Sequence, residues 1–400
     1  MDGEKSFMSV LEHFVPQLQL PRRIQLPSVE SPWTVILTGS TGSLGTRILS
    51  ALQDLPAPRL RKIYCLNRSG NAKETQEATL RKFGLTPLDD RITFIEVSFE
   101  SPRLGLSEQT WQQLAEEATV IIHNAWPVDF LAALEYFGPH LGALRDLLHC
   151  SYRSPRRPLF LYVSSLGVAY SAGLSHIPEE IFQDFSNVDG GYAQSKYIAE
   201  RMVETYALST GCPAAVLRVG QIAGPVNSGG LWPHREWFPT LLRASRHIGA
   251  LPRTLGPHDA VDWIPVDILS SIVVEIAEHV TLQTARPGAD CPLVFNIANP
   301  ERVPFGALLP YLTKVTPHTV GCTEWVRLLR LSAAENPGVP GAKLLGFYEA
   351  ALANGRAPIR TATRNMMVAS KAARCLRAVN GRWLLLWLDG WDLPAARGHL

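Results

Sequence analysis

The stretch Val35-Ile-Leu-Thr-Gly-Ser-Thr-Gly-Ser-Leu-Gly45 decides how the chain folds. An aliphatic run enters a loop with glycines at 39, 42 and 45, and an amphipathic segment, 46–55, follows until Pro56. This order predicts a buried strand, a phosphate-binding loop and a helix N-terminus, whose unpaired N–H groups favour a pyrophosphate. The alternative is an ordinary glycine-rich turn, since the spacing is G-x-x-G-x-x-G rather than G-x-G-x-x-G. We expect the following residues to bind a dinucleotide: Thr38, Gly39, Ser40, Thr41, Gly42, Ser43, Leu44 and Gly45.

The residue after the second predicted strand, 62–67, indicates the type of cofactor. An acidic side chain at this place would bind the ribose hydroxyls of NAD, whereas Arg68 offers a positive charge to the 2′-phosphate of NADP. Arg81, on the next predicted helix, is a second candidate. A solvated surface charge is the alternative for both arginines, and it is favoured for Arg81. The sequence therefore favours NADP over NAD.

Strands alternate with helices as far as Gly224, which is typical of a parallel sheet. We predict an α/β fold: a Rossmann doubly wound parallel sheet with a smaller, mainly helical C-terminal substrate-binding domain. The expected domains are an N-terminal helix and linker (1–32), an NADP-binding domain (33–224) and a C-terminal substrate and carrier region (225–400), from which 262–297 returns to the Rossmann domain. The predicted strands are 35–38, 62–67, 91–97, 118–122, 159–163 and 292–297, and the predicted helices are 5–20, 46–55, 107–117, 139–149, 198–208, 268–279, 305–313, 323–334, 343–353 and 383–391.

Composition excludes several classes of function. A formal net charge of +2 argues against a nucleic-acid-binding surface. The six cysteines form no C-x-x-C pair, so we expect reduced thiols and no metal site. No apolar run is long enough to span a bilayer, and the N-terminus lacks the apolar core of a signal peptide. We therefore expect a cytoplasmic protein without membrane or nucleic-acid partners, and a monomer as an isolated domain.

Polar residues at the carboxyl ends of predicted strands should face a ligand crevice. Asn124 follows the fourth strand and is a candidate cofactor contact, whereas a packed structural role is favoured for the adjacent His123. The fifth strand delivers Ser164 and Ser165 to the same edge.

Tyr192 and Lys196 are four residues apart on a predicted helix, so they share one face. A free phenol titrates near pH ~10, and a nearby ammonium group favours the phenolate, which adapts a tyrosine for proton transfer. A Y-x-x-x-K spacing also arises by chance. Together with a strand-end serine and a dinucleotide loop, however, it becomes a specific combination.

In this combination the chain resembles the extended short-chain dehydrogenase/reductases. The resemblance implies that the serine holds a substrate carbonyl, the tyrosine protonates its oxygen, and the lysine positions the nicotinamide ribose and tunes the tyrosine. These roles fall on Ser165, Tyr192 and Lys196. The S-S-x-x-V pattern ending at Val168 favours Ser165 over Ser164.

A narrower resemblance extends over most of the chain. The motifs that carry it are Leu104-Gly-Leu106, Val120-Ile-Ile-His-Asn-Ala125, Tyr162-Val-Ser-Ser165, Leu217-Arg-Val-Gly-Gln-Ile-Ala-Gly224 and Val261-Asp-Trp-Ile-Pro-Val-Asp267. They look like a thioester reductase domain of nonribosomal peptide synthetases, polyketide synthases and carboxylic acid reductases, of the fungal type. Two positions depart from the pattern: Ser98, where relatives often carry Asp, and Ser165, where many carry Thr.

This resemblance implies hydride transfer from NADPH to a thioester on a carrier protein's phosphopantetheine, giving an aldehyde and, after a second hydride, an alcohol. The expected setting is secondary metabolism. Two alternatives stay open: a reductase or epimerase acting on a free carbonyl or sugar nucleotide, and a non-catalytic NADP-sensing protein.

The C-terminal region offers candidate contacts for the acyl chain and for a carrier protein. Trp232, Trp237 and Phe238 are candidates for lining an acyl or phosphopantetheine channel, with a core position as the alternative, favoured for Trp237. A basic face is the candidate docking surface for an acidic carrier protein, with a solvated helix face as the alternative. It consists of Arg235, Arg243, Arg246 and Arg253.

Overall fold

The computed structural model describes residues 2–23, 32–170, 176–183, 188, 190–284, 292–352 and 359–391. Residues 24–31, which include most of the expected linker around Pro27–Pro32, and Cys291 lie outside these residues. The chain divides into two compact units. Unit 1 comprises residues 1–220, 268–297 and 361–375, and unit 2 comprises residues 221–267, 298–360 and 376–400.

Unit 1 is built on a seven-stranded parallel sheet. Across the sheet the strands follow the order 293–297, 214–219, 159–165, 120–123, 33–38, 60–67 and 92–96, so the winding direction reverses between strands 33–38 and 120–123. Ligands bind at this switch point in open α/β sheets. The predicted fold class, a doubly wound parallel sheet, is confirmed. The strands are β1 (Trp33–Thr38), β2 (Leu60–Asn67), β3 (Ile92–Glu96), β4 (Val120–His123), β5 (Leu159–Ser165), β6 (Ala214–Val219) and β7 (Leu293–Ile297).

The central strands are buried on both faces, which explains their continuous apolar runs. Ile36, Ile121 and Phe160 pack into a core with the helix that follows β4 and the helix that carries Tyr192. The helices are α1 (Asp2–Phe14), α2 (Ser43–Gln53), α3 (Ala72–Phe83), α4 (Glu108–Glu117), α5 (Gly138–Arg153), α6 (Gly167–Tyr170), α7 (Gly191–Thr210), α8 (Trp237–Ile248), α9 (Val266–Thr284), α10 (Phe305–Leu312), α11 (Cys322–Glu335), α12 (Leu345–Leu352), α13 (Arg364–Ala369), α14 (Lys371–Arg374) and α15 (Gly381–Gly390).

Several elements differ from their predictions, and three of them have a clear physical reason. Helix α2 begins at Ser43, so Gly45 lies inside it rather than in the loop. The predicted helix 5–20 is α1 followed by a 3₁₀ turn, Val15–Leu18, because Pro16 has no N–H to continue the α-helical ladder. Strand β6 was not predicted, since the charged Arg218 interrupts its apolar run.

Unit 2 is mainly helical around a core rich in tryptophan. Three pairs of two-residue strands supplement its helices, among them Ile222–Ala223 with Ile264–Pro265. Trp232 and Phe238 are fully buried in this core, and Trp237 is half-buried against it. The apolar tail predicted to pack on this domain is α15, which buries Trp387 there.

The described residues include no helix that combines the length and the apolar character needed to cross a membrane. Within the same residues, no cluster of three or more His, Cys, Asp or Glu side chains is arranged to hold a metal ion.

Candidate active site

The glycine loop between β1 and α2 lies at the switch point of the sheet. A Cβ on Gly45 would stand 1.9 Å from the carbonyl oxygen of Gly39, so only glycine lets α2 pack on the start of the loop. Gly39 has a positive φ of 71°, and a Cβ there would lie 2.9 Å from Cα of Ala125. The loop is therefore pressed against the chain that leaves β4.

The N-terminus of α2 fits the pyrophosphate of a dinucleotide. Gly42 is the N-cap residue, and no described side chain caps this helix end. Thr41, Gly42 and Ser43 are exposed, whereas Leu44 and Gly45 are buried. First-turn N–H groups and the helix dipole favour an anion at this position.

Ser40 lies inside the loop rather than on its surface. Its buried hydroxyl donates to Oδ1 of Asn67 at 3.1 Å, and Thr46 Oγ1 donates to its carbonyl oxygen at 3.2 Å. These bonds fasten the loop to the end of β2 and to α2. Ser40 therefore shapes the loop through its side chain.

Thr38, the last residue of β1, joins the loop to the end of β4. Its Oγ1 accepts from the backbone N–H groups of Asn124 and Ala125, both at 3.0 Å, and lies 2.9 Å from Nδ1 of His123. Both lone pairs of the hydroxyl are thus used, so its O–H donates to His123 Nδ1. The proton of the neutral imidazole must then be on Nε2. Asn124 also donates from Nδ2 to the carbonyl oxygen of Gly39 at 3.3 Å.

Burial and the positive charge of Lys196 lower the pKa of His123 to about 3. His123 is therefore a neutral, packed residue at physiological pH. It acts as a structural acceptor behind the glycine loop.

Arg68 is exposed directly after β2, at the carboxyl edge of the sheet. Burial lowers the pKa of His140 to about 4, and the next largest cause is the charge of Arg68. His140 lies in the first turn of α5, so the charge of Arg68 acts on a residue beside the end of β4. Arg81 is exposed in the last turn of α3, roughly 14 Å along the axis from the first residue of that helix. The structure brings Arg68 to this edge of the sheet but not Arg81.

Ser165, Tyr192 and Lys196 come together where β5 ends beside the first two turns of α7. A Cβ on Gly167 would lie 3.2 Å from Oγ of Ser165 and 3.9 Å from Cε1 of Tyr192, so the hydroxyl and the phenol ring are neighbours. Lys196 Nζ donates to the carbonyl oxygen of Val163 at 2.7 Å and lies 6.0 Å from the centre of the Tyr192 ring. All three side chains thus surround one position at the carboxyl end of the sheet.

Burial raises the pKa of Tyr192 to about 12, and the hydrogen bond with Ser165 opposes this rise. Burial also lowers the pKa of Lys196, against the charge of Glu200. The lowering of the tyrosine pKa that the sequence suggested is therefore outweighed by desolvation. Tyr192 is a protonated acid at neutral pH, able to donate a proton to a carbonyl oxygen.

Ser164 has a different environment from its neighbour. Its Oγ donates to Oε1 of Glu200 at 2.6 Å, and Glu200 forms an ion pair with Arg218 at 2.7 Å in which both side chains are fully buried. Sequence reasoning missed this pair. Two features of the sequence indicated this pair. Glu200 continues the four-residue spacing of Tyr192 and Lys196, and Arg218 lies within an otherwise apolar run.

Trp126 is a further residue that the sequence analysis missed. Its ring lies 4.6 Å from Lys196 Nζ, and its Nε1 donates to Oγ of Ser195 at 3.2 Å. The Tyr162 ring lies 4.9 Å from the same Nζ. These rings hold the lysine in place.

The family model described as male sterility protein, an NAD-binding domain, matches residues 37–273. The carboxylic acid reductase of Neurospora crassa is 30% identical over 361 residues, which are 87% of this chain and 34% of that protein. The adenylate-forming reductase Nps9 of Serpula lacrymans is 33% identical, over 98% of this chain and 38% of its own length. A non-reducing polyketide synthase of Aspergillus terreus is 30% identical over 81% of this chain and 12% of its own length. The chain thus spans between 12% and 38% of the length of these curated relatives.

Solved structures share the fold at lower identity. The terminal R domain from the myxalamid PKS-NRPS pathway has a TM-score of 0.77 at 23% identity, over 95% of this chain and 97% of its own. The reductase domain of a nonribosomal peptide synthetase from Mycobacterium tuberculosis has a TM-score of 0.78 at 20% identity, over 97% and 98%. The resemblance expected from the motifs is confirmed. Because the family model matches more than half of the chain, this protein belongs to the male sterility protein family of NAD-binding domains, and its fold is that of the reductase (R) domains.

Proposed function

We propose that this chain reduces an acyl thioester on the phosphopantetheine arm of a carrier protein, with NADPH as hydride donor, and releases an aldehyde. The observation that carries the proposal is the convergence of Ser165, Tyr192 and Lys196 beside a glycine loop. The same domain recurs within carboxylic acid reductases, adenylate-forming reductases and polyketide synthases, which supports reductive release in secondary metabolism.

The residues of the glycine loop fit a dinucleotide. The amides at the start of α2 would hold its pyrophosphate, and Asn124 would contact it where β4 ends. When bound, the nicotinamide supplies a hydride. Lys196 would orient the ribose next to it, since one of its three N–H donors is used by Val163 and the others are available for a ligand.

Tyr192 and Ser165 act on the substrate oxygen. As the thioester carbon becomes tetrahedral, the Tyr192 phenol gives its proton to the developing oxyanion and the Ser165 hydroxyl donates a hydrogen bond to it. A donor of this kind contributes about 3 kcal/mol to transition-state stabilisation. The hemithioacetal then loses its C–S bond, which yields the aldehyde and the free carrier thiol. The same three residues would act in the same way on the aldehyde, which a second hydride converts to an alcohol.

The proposal is tested by following NADPH oxidation with an octanoyl-pantetheine thioester as substrate, with the product identified by mass spectrometry. We expect thioester-dependent oxidation and octanal or octanol as product. Turnover of a free ketone or sugar nucleotide, with no oxidation on any thioester, would establish the alternative class instead.

NADP is our proposal for the cofactor, because Arg68 lies exposed where a 2′-phosphate would be bound. Arg68→Ala should raise the KM for NADPH about tenfold and leave the KM for NADH unchanged. Arg81→Ala is the matched control and should change neither. Equal effects of Arg68→Ala on both cofactors would refute the assignment.

We also propose an acidic carrier protein as partner, docked on the basic face of unit 2. Helix α8 contains Arg243, Arg246 and His247 and no acidic residue, and all three side chains are exposed. Charge reversal at both arginines should raise the KM for a carrier-borne thioester and not for the pantetheine thioester. Arg382→Glu, also exposed in unit 2, is the control. Loss of activity on both substrates would argue against docking.

These proposals assign a different role to each of the two units. Unit 1 binds the cofactor and carries the acid, and unit 2 offers the docking surface for the carrier. All five cysteines that the structure describes are free thiols, as a reducing cytoplasm allows. We propose a cytoplasmic monomer, which light scattering of the purified chain would test by its mass.

A further inference from the structure

The loop between β4 and α5 exposes large apolar side chains. Val128 is 70% exposed, Leu131 is 71% exposed and Phe130 is 50% exposed. Asp129 is the only charged residue in the stretch 124–134. Single exposed apolar residues are ordinary on protein surfaces, but three within four positions form a local patch.

This loop is held in shape at its base and at its tip. At its start, the Trp126 indole donates to Ser195 on α7. At its tip, Oδ1 of Asp129 accepts from the N–H groups of Leu131 and Ala132, at 3.0 and 3.2 Å. The only charge in the stretch is thus turned back onto the loop's own backbone.

The far end of the loop packs on the helix that carries the acid. A Cβ on Gly191 would stand 2.4 Å from the carbonyl oxygen of Ala132, so glycine is required for this approach. The exposed apolar side chains therefore belong to a packed loop with a defined position. Order of this kind before binding reduces the conformational entropy that a ligand would otherwise have to offset.

One residue of this patch, Phe130, contacts the proposed catalytic acid, Tyr192. The ring of Phe130 lies 5.1 Å from the ring of Tyr192, in an edge-on arrangement, and Phe137 lies 6.1 Å from Tyr192. A substrate whose carbonyl reaches the Tyr192 phenol must place the group attached to that carbonyl near these rings. In a thioester, one such group is the acyl chain.

We propose that Val128, Phe130 and Leu131 form an acyl-binding shelf, and that the protein accepts apolar aliphatic or aryl acyl chains of several carbons. This inference rests on the proposed thioester reduction and adds the class of its substrate. The shelf contributes by removing apolar chain surface from water, so its effect grows with chain length. A two-carbon acyl group is too short to gain from it.

The test separates binding from turnover. Calorimetry measures the affinity of S-octyl and S-ethyl pantetheine thioethers, which cannot be reduced, and kinetics compares octanoyl and acetyl pantetheine thioesters. The variant is Val128→Ser/Leu131→Ser. Its matched control is Leu208→Ser/Leu282→Ser, in which two leucines of unit 1 that are 60% and 63% exposed are changed in the same way.

The shelf predicts that the Val128→Ser/Leu131→Ser variant binds S-octyl pantetheine about tenfold more weakly and has about tenfold lower kcat/KM for octanoyl thioester. Affinity for S-ethyl pantetheine and turnover of acetyl thioester should stay within twofold, and the control should match the wild type. Equal losses for both chain lengths, or no loss, would overturn the shelf. If the octyl preference is present while no thioester is reduced, the shelf stands and the proposed function fails.

Discussion

Ser164 and Ser165 are consecutive residues of β5, so their side chains lie on opposite faces of the sheet. The Ser164 hydroxyl donates to the carboxylate of a fully buried ion pair, and the Ser165 hydroxyl lies beside the Tyr192 ring. The alternation of a strand therefore separates a structural serine from a proposed catalytic one. The motif could predict that Ser165, rather than Ser164, is the candidate catalytic serine. The buried ion pair that occupies Ser164 could not be predicted from the motif.

The two serines make a matched pair for mutation. Ser165→Ala should lower kcat about 10²-fold, because a transition-state donor is lost. The free energy of unfolding should fall by at most about 1.5 kcal/mol, because the half-buried hydroxyl accepts one backbone hydrogen bond, from the N–H of Gly167 at 3.1 Å. Ser164→Ala should cost about 1–3 kcal/mol of stability, because the buried Glu200 carboxylate loses a donor, and should change kcat less than threefold. Initial rates and urea denaturation measure both. The reverse pattern would mean that Ser164 faces the substrate.

Other site residues were beyond the reach of sequence reasoning for a physical reason. Trp126 and Phe130 follow a strand whose motif drew attention to Asn124, and nothing local indicates that their rings approach α7. Such contacts depend on how loop and helix pack in space. Periodicity reports which face of an element is buried, and it does not report which partner covers it.

At the scale of elements, the sequence predicted β1, the glycine loop and α2 in the correct order, but it placed the start of the helix too late. The glycine at 45 was expected to serve the loop, whereas it permits contact between α2 and Gly39. Sequence spacing identifies a glycine position without showing which backbone approaches it. The missed strand β6 has a similar cause, because its Arg218 is neutralised by Glu200 on a distant helix.

Gly45→Ala should destabilise the protein by about 3 kcal/mol or more, because the new Cβ would overlap a backbone oxygen that cannot move independently. NADPH binding should be lost in parallel. Gly142→Ala, in α5, is the control: a Cβ there meets nothing within 4 Å, so alanine should stabilise by up to about 1 kcal/mol. Urea denaturation and cofactor fluorescence measure the outcomes. A Gly45→Ala protein with wild-type stability would contradict the packing described for α2.

At the scale of the whole molecule, the chain contributes three separate segments to unit 1. The sequence suggested one return, near 262–297, and the segment 361–375 was not anticipated. Asn365 joins that segment to unit 1: its Nδ2 donates to the carbonyl oxygen of Val294 at 2.9 Å, and its N–H donates to Glu179 at 2.7 Å. The segment also buries Met366 and Ala373, but it is too short to show a hydrophobic period from which its place could be predicted.

Buried neutral histidines should make the stability of the molecule dependent on pH. The pKa of His123 falls from 6.5 to about 3 on folding, so between these values the unfolded chain binds a proton that the folded chain does not. This stability is fully present above pH 6.5 and is lost as the pH falls, with a slope of about 1.4 kcal/mol per pH unit. His140 acts in the same direction.

Urea denaturation between pH 5 and 7 would measure this slope. His123→Asn keeps an acceptor for the Thr38 hydroxyl and removes the titrating group, so its slope should be shallower. An identical slope in both proteins would show that His123 is protonated in the folded state and would refute its assignment as a neutral acceptor.

The most direct measurement of the central claim is a single-turnover rate of NADPH oxidation on an acyl-pantetheine thioester, compared between the wild type and Tyr192→Phe. We expect the rate to fall about 10²- to 10⁴-fold, since the phenol is the acid that protonates the carbonyl oxygen. NADPH affinity and thermal stability should be unchanged, because the ring remains and only a hydroxyl is removed. A Tyr192→Phe protein that reduces the thioester within about fivefold of the wild-type rate would contradict the account.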